Sequence, residues 1–291
     1  MKMQRGTFNA ERLGAGSHFD KLEEILVSGI RDFMKKNGFS RAHLGLSGGI
    51  DSSLVAYLAA QAVGPENIVC LSMPSRFSSR QSKDDAAEQA AILGCRFEVI
   101  PIEGMYTAFL SALEGVFENR PFDVTEENLQ SRIRGVLLMA FSNKFNSMLF
   151  ATGNKSEIAM GYCTLYGDTD GAIAPIGDIY KTEVFALCKR INERSIAAGG
   201  KEIIPQAIID KPPSAELRPN QKDEDSLPPY ETLDQILKFY LDDKLYPEEI
   251  VKKGWDRDLV DRIIKTVDRM EFKRRQMPPI LKVFEESGGQ I

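Results

Sequence analysis

The segment Gly45-Leu46-Ser47-Gly48-Gly49-Ile50-Asp51-Ser52-Ser53 combines residue types and spacings that can do chemistry: three hydroxyls, an adjacent glycine pair and one carboxylate. An apolar run, Ala42 to Leu46, leads into it. Asp51 to Val63 follows with a helical period, placing Leu54, Val55, Leu58 and Ala62 inward. A strand-to-helix junction of this kind aims backbone N–H groups and the positive helix end at an anion. Gly48 and Gly49 let a phosphate approach the main chain with no Cβ in the way. Asp51 would repel a bare phosphate, and its presence makes sense with a Mg²⁺ ion between them.

Three motifs compete for this segment. A Walker A loop needs G-x-x-x-x-G-K-[ST], and the nearest string, Gly199-Gly200-Lys201, is followed by Glu202. A nucleophile elbow, G-x-S-x-G, is satisfied by Gly45 to Gly49. That architecture needs a histidine later in the chain, and none lies beyond His43, so the Ser47 hydroxyl has no imidazole base. Ser47-Gly48-Gly49-Ile50-Asp51-Ser52 resembles the S-G-G-x-D-S loop of N-type ATP pyrophosphatases at every position. That resemblance implies ATP binding by Gly45, Leu46, Ser47, Gly48, Gly49, Ile50, Asp51, Ser52 and Ser53. It also implies adenylation of a substrate oxygen with release of pyrophosphate.

Later blocks narrow the resemblance. Glu127-Asn128-Leu129-Gln130-Ser131-Arg132-Ile133-Arg134, Ala151-Thr152-Gly153-Asn154-Lys155-Ser156-Glu157, Tyr166-Gly167-Asp168 and Lys181-Thr182-Glu183 occur in the order found in NAD synthetases. So do Lys211 to Leu217, Glu224 to Tyr230 and Lys273-Arg274-Arg275-Gln276. From about Phe19 onward the chain resembles that family. The resemblance implies amidation of deamido-NAD by ammonia through a nicotinyl adenylate, in a homodimer. It makes Glu157 a metal ligand with Asp51, and gives Thr152, Lys181 and Ser214 contacts to ATP. Asn128, Arg132, Asp168 and Lys273 fall to deamido-NAD. Asp168 also becomes the base that takes a proton from ammonium, so Asp51, Asp168 and Lys181 form the catalytic set. The residue types agree. Lys181 would lie in the first turn of its helix, the wrong end for a cation unless a phosphate is near. Leu165, Ala172 and Phe272 depart from the stand-alone ammonia-using members and look like the synthetase half of the glutamine-dependent enzymes. The residues ahead of Ala42 are too few for a catalytic domain. Ammonia is therefore expected to arrive free or from a separate glutaminase subunit.

The elements that must position these groups alternate. Strands at Ala42–Leu46, Asn67–Met73, Arg96–Pro101 and Met148–Ala151 are separated by helical stretches. This predicts a doubly wound α/β fold, adenine nucleotide alpha hydrolase-like: a parallel sheet of about five strands flanked by helices, with a helical C-terminal part. Phe19 to Lys36 reads as an amphipathic helix. Asp123 with Glu126 reads as a capping box ahead of a helix burying Leu129, Ile133, Val136, Leu137 and Ala140, and Asp178 as the cap of a helix reaching Arg194. Between Lys211 and Tyr230 five prolines rule out a regular helix, so a lid is expected there. Residues 1–18 form a mobile arm by composition, and residues 19–291 one synthetase domain.

Composition sets the outer bounds. Over 291 residues, 43% apolar and 27% charged content suits a globular protein with a sizeable core. A net charge of −5 argues against a nucleic-acid binder. No apolar run is long enough for a membrane span. Cys70, Cys95, Cys163 and Cys188 form no CxxC pair, consistent with reduced thiols in a cytoplasmic protein. The rival functions are a tRNA-modifying or amidating enzyme of the same ATP-dependent group, which basic surface or paired cysteines would mark, and a non-catalytic adenine-nucleotide binding module. A passive binder has no use for the pair Asp51 and Glu157.

Overall fold

A computed structural model of the chain describes residues 15–283. Residues 1–14 of the expected arm lie outside that range, and the first helix, α1 (Ala15–Lys36), starts earlier than expected. The alternation then unfolds as β1 (Ala42–Gly45), α2 (Ile50–Val63), β2 (Ile68–Ser72), α3 (Arg80–Leu93), β3 (Arg96–Val99), α4 (Glu103–Leu113), α5 (Val124–Phe145) and β4 (Met148–Leu149). The sheet is parallel, in the order β3-β2-β1-β4. Among the described residues it has four strands rather than about five. Beyond β4 the fifth position shrinks to isolated bridges, Phe150 to Ile173 and Ala174 to Ile280, because the chain there leaves the ladder to form the site.

Side chains alternate across the strands with period two. Ala42, Leu44, Ile68 and Cys70 face a core closed by α1, α2 and α7 (Lys181–Ala197). Leu71 and Leu149 face a second core built on Ile102, Tyr106, Ile133 and Leu138 of the α4 and α5 side. Helix α2 is buried nearly all round, as befits a helix between the sheet and α1. His43 points to the α5 side, fully buried. Its Nε2 donates to the Leu138 carbonyl, and Nδ1 lies 2.9 Å from the Ser147 hydroxyl.

The Asp123–Glu126 capping box is present at α5. Helix α5 buries Ile133 and Leu138, but Val136 is 67% exposed and Ala140 is exposed too, against expectation. The helix carries apolar residues on two faces, and only one meets the sheet. Asp178 does not cap α7. That helix begins at Lys181 behind Tyr180, while Asp178 binds the Lys155 ammonium (3.2 Å) and accepts from the Val283 N–H (3.1 Å). Short helices α6 (Lys155–Met160) and α8 (Gln206–Asp210) flank α7 in sequence. Helices α9 (Tyr230–Leu237) and α11 (Arg257–Arg269) pack on α6, and α10 (Pro247–Lys252) packs on α11, around Leu233, Ile236, Ile250, Val260 and Ile263. A last short helix, α12 (Glu271–Arg274), carries Lys273 to the cavity wall. Among the described residues, no helix is long and apolar enough to cross a membrane.

Candidate active site

A cavity of about 860 Å³ opens over the C-terminal ends of β1, β2 and β4, the edge where open parallel sheets bind ligands. Gly45, Leu46, Ser47, Gly49, Ile50, Asp51 and Ser52 line it from below. Helix α2 starts at Gly49 with no side-chain cap, so its first N–H groups remain available to an anion. The loop braces itself from within: Ser52 Oγ donates to the Gly49 carbonyl (3.0 Å) and lies 3.1 Å from Ser47 Oγ. Two expected contacts fall outside the cavity. Ser53 is buried and spends its hydroxyl on the Gly49 carbonyl (2.9 Å). Gly48 faces the start of α3; its φ is +81°, and a Cβ there would overlap the Ser82 carbonyl oxygen. The missing Cβ there admits the close approach of α3.

Lys181, the first residue of α7, is buried and reaches two carboxylates. Its Nζ donates to Asp51 Oδ2 (2.5 Å) and Glu157 Oε1 (3.1 Å). Burial alone would push this ammonium down, but Asp51 and Glu157 beside it reverse the effect and hold its pKa above the usual lysine value. Burial drives Glu157 the other way, above the ordinary carboxylate range, and the Lys181 charge only partly opposes that. The α7 dipole conflict is thus answered here by acid side chains. The two carboxylates converge on one point, which the Lys181 ammonium fills. A divalent ion that keeps water and phosphate ligands needs only one or two protein carboxylates, and this pair supplies them. Among the described residues, no set of three His, Cys, Asp or Glu forms a self-sufficient cage.

Several supporting residues were given no role of their own by the sequence. Asn154, buried within Ala151–Glu157, donates to Asp51 Oδ1 (2.9 Å) and caps α6. Ser156 donates to Asp234 (2.5 Å) and accepts from the Lys181 N–H (2.9 Å), fixing where α7 begins. Asp223 accepts from the Tyr230 hydroxyl (2.7 Å), and the Tyr230 ring sits 5.3 Å from Lys181 Nζ. The capping position of Asn154 was readable in principle; the convergence of Asp223 and Tyr230 is tertiary.

Across the cavity lie Thr152, Asn128, Asp168, Ser214 and Lys273. Asp168 Oδ1 accepts from the Thr164 N–H (2.6 Å) and the Ser131 hydroxyl (3.4 Å). Asp168 is exposed toward the cavity, and desolvation by the surrounding walls raises its carboxyl above the usual range, against those bonds. Asn128 accepts from the Thr164 hydroxyl (2.7 Å). Lys273 donates to the Gly161 and Cys163 carbonyls (2.7 Å each), pinning the segment that carries Asp168. Arg132 is not in the cavity. It is exposed on α5, with Nε donating to the Leu165 carbonyl (3.2 Å). The proline-rich segment is folded over the site. Gln130 donates to the Leu217 carbonyl (2.8 Å), Gln221 to Glu127 (3.2 Å), and Ser214 donates to the Gln221 carbonyl (2.6 Å).

Comparison with known proteins agrees with this geometry. The NAD synthase family model matches residues 22–278. A glutamine-dependent NAD(+) synthetase of Synechocystis sp. is 49% identical over 93% of the chain, and one of Rhodobacter capsulatus 52% identical over 87%; the chain spans about half the length of each (47%). Among solved structures, the NH3-dependent NAD synthetase of Campylobacter jejuni superposes with a TM-score of 0.70 at 28% identity over 92% of this chain and 99% of its own. An NMN synthetase of Francisella tularensis gives 0.73 at 29% identity, over 88% of this chain and 95% of its own. With a family match that takes in every element around the cavity, the chain belongs to the NAD synthase family.

Proposed function

We propose that this chain converts deamido-NAD to NAD, using ATP to activate the nicotinate carboxylate and ammonia as the nitrogen donor. The reading rests chiefly on one observation. A buried ammonium, Lys181, is held between Asp51 and Glu157 at the uncapped start of α2. In the first step a carboxylate oxygen of the substrate attacks the α-phosphorus of ATP. The bond from that phosphorus to the bridging oxygen breaks, and pyrophosphate leaves with the electron pair. The N–H groups at the start of α2 and the Lys181 ammonium face the charge that builds on the leaving group. Asp51 and Glu157 would hold Mg²⁺, which when bound adds charge neutralisation on the phosphates. In the second step ammonia adds to the carbonyl carbon and AMP leaves. Only neutral NH₃ is a nucleophile. Asp168, its carboxyl raised by desolvation, suits a base that takes a proton from ammonium. The closed lid keeps water from the adenylate.

Ammonia delivered from glutamine and ammonia taken from solution end at the same attack. The glutamine-dependent names of the relatives leave the source to experiment. We also propose a homodimer through α5. Its outward face exposes Val136 and Met139 beside Arg132, so an arginine outside its own cavity would complete the partner's substrate site.

The test supplies ATP, Mg²⁺ and deamido-NAD, with ammonium and glutamine offered separately and the deamido form of NMN as a competing substrate. NAD, AMP and pyrophosphate are expected with ammonium. ADP and phosphate as products would reject adenylation, and amidation of the mononucleotide alone would move the substrate assignment. Asp51→Ala should lower turnover by at least about a thousandfold, the scale of losing a preorganised charge at the transition state. Normal turnover would remove Asp51 from the site.

A further inference from the structure

We propose that Glu216 is the latch of the lid: its carboxylate, seated on the serines that open α3, holds the proline-rich segment closed and so positions Ser214 over the cavity. Glu216 Oε2 accepts from the Ser79 N–H (3.1 Å), and Oε1 accepts from the hydroxyls of Ser79 (3.0 Å) and Ser82 (2.6 Å). Lys211, at the other end of the same turn, has its Nζ 3.5 Å from Oε1 and hydrogen-bonds the Ser82 hydroxyl. One carboxylate therefore meets four donors, three of them from an element that is not part of the lid. The Glu216 backbone sits at φ +50°, a region a non-glycine residue occupies only when its surroundings hold it there. From that backbone the Glu216 N–H donates to Ser214 Oγ (3.2 Å), so the residue that anchors the lid also orients the hydroxyl that faces the cavity.

The seat is not an arbitrary surface. The Ser82 carbonyl packs directly on Gly48 of the loop after β1, close enough that a Cβ on Gly48 would overlap it. The latch thus closes the lid onto the element that backs the loop. Glu216 touches no reacting atom in this account and is a positioning residue. Its kinetic consequence rests on the synthetase reading above; its mechanical one does not.

The test uses the whole chain. Backbone amide exchange over residues 214–217, without any substrate, should run about tenfold faster in Glu216→Ala and less so in Glu216→Gln, whose one amide oxygen still accepts from the seat while its NH2 group cannot. Ser82→Ala should speed the same amides, and combining it with Glu216→Ala should add little, because both remove one contact. In turnover, Glu216→Ala should raise KM for ATP about tenfold with kcat changed less than threefold, and Glu216→Gln should fall between it and the wild type. Unchanged exchange in Glu216→Ala, or additive effects of the two substitutions, overturns the latch. Faster lid exchange in a protein with no synthetase activity keeps the latch and discards the function.

Discussion

The glycine- and serine-rich loop after β1 and the proline-rich lid enclose the same cavity, but they are held by different physics. The loop, residues 45–53, is fixed by its own short contacts: Ser47, Ser52 and Ser53 all bond within the segment, and β1 and α2 clamp its ends. The lid, residues 211–222, braces its own turn through Ser214, Glu216 and Gln221, but it is fastened to the rest of the fold by a few side-chain contacts, to Ser79 and Ser82 at the start of α3 and to Glu127 and Gln130 of α5. A segment held by local bonds is rigid with or without ligand. A segment held by a few long-range side chains opens at the scale of those bonds, which is what a lid must do.

If the loop is preformed, disturbing its backbone should harm the whole protein. Gly48→Ala places a Cβ against the Ser82 carbonyl at a φ of +81°. The overlap is with main chain, so no rotamer relieves it. We expect a stability loss of about 3–4 kcal/mol, at the upper end for one substitution. Equilibrium urea unfolding checks this, and a loss below about 1 kcal/mol would mean that the loop yields as easily as the lid.

The same contrast explains what could be read in advance. Ser47 to Ser52 announced itself because a local structure is written in consecutive residues: glycines for the turn, hydroxyls to brace it, an apolar strand before and an apolar helix after. The order of strands and helices was legible for the same reason, as was the capping box at Asp123. The partners of the lid were not. Nothing near Glu216 in sequence points to Ser79 and Ser82, and the distance is bridged only by the fold. Gly48 shows the converse: its glycine was predictable, but the close packing of the Ser82 carbonyl on it was not. Ser53, in a strong motif, faced inward because the helix period turned it there. Among the described residues the fifth strand is reduced to isolated bridges, where residues 150–153 line the cavity instead of extending a ladder.

Acid should separate the regions too, through His43 on the strand that feeds the loop. Burial lowers its pKa to about 4, with the Leu138 carbonyl only partly opposing. The unfolded chain protonates near pH 6.5, so it takes up the proton first as pH falls. Stability from this group is complete above about 6.5, declines as pH drops, and is fully lost below about 4, a total of roughly 3 kcal/mol. Unfolding measured between those limits should show this slope, and His43→Gln should flatten it. An equal slope in the variant would place the proton elsewhere.

The smallest expected effect is confined to the lid. Gln130 is fully buried on α5 and donates to the Leu217 carbonyl, a bond across 87 residues of sequence. Gln130→Leu keeps the volume and removes the donor. The Leu217 carbonyl, at a half-buried position, can then turn to water, so the cost is that of one net hydrogen bond, about 1 kcal/mol. Global stability should hardly move, because the side chain's remaining amide oxygen has no partner to lose. Amide exchange over residues 217–221 should rise about fivefold, the equivalent of that energy, while residues 46–53 stay unchanged. If the loop amides quicken together with the lid, the two walls of the cavity open as one unit, and the distinction between a preformed loop and a fastened lid fails.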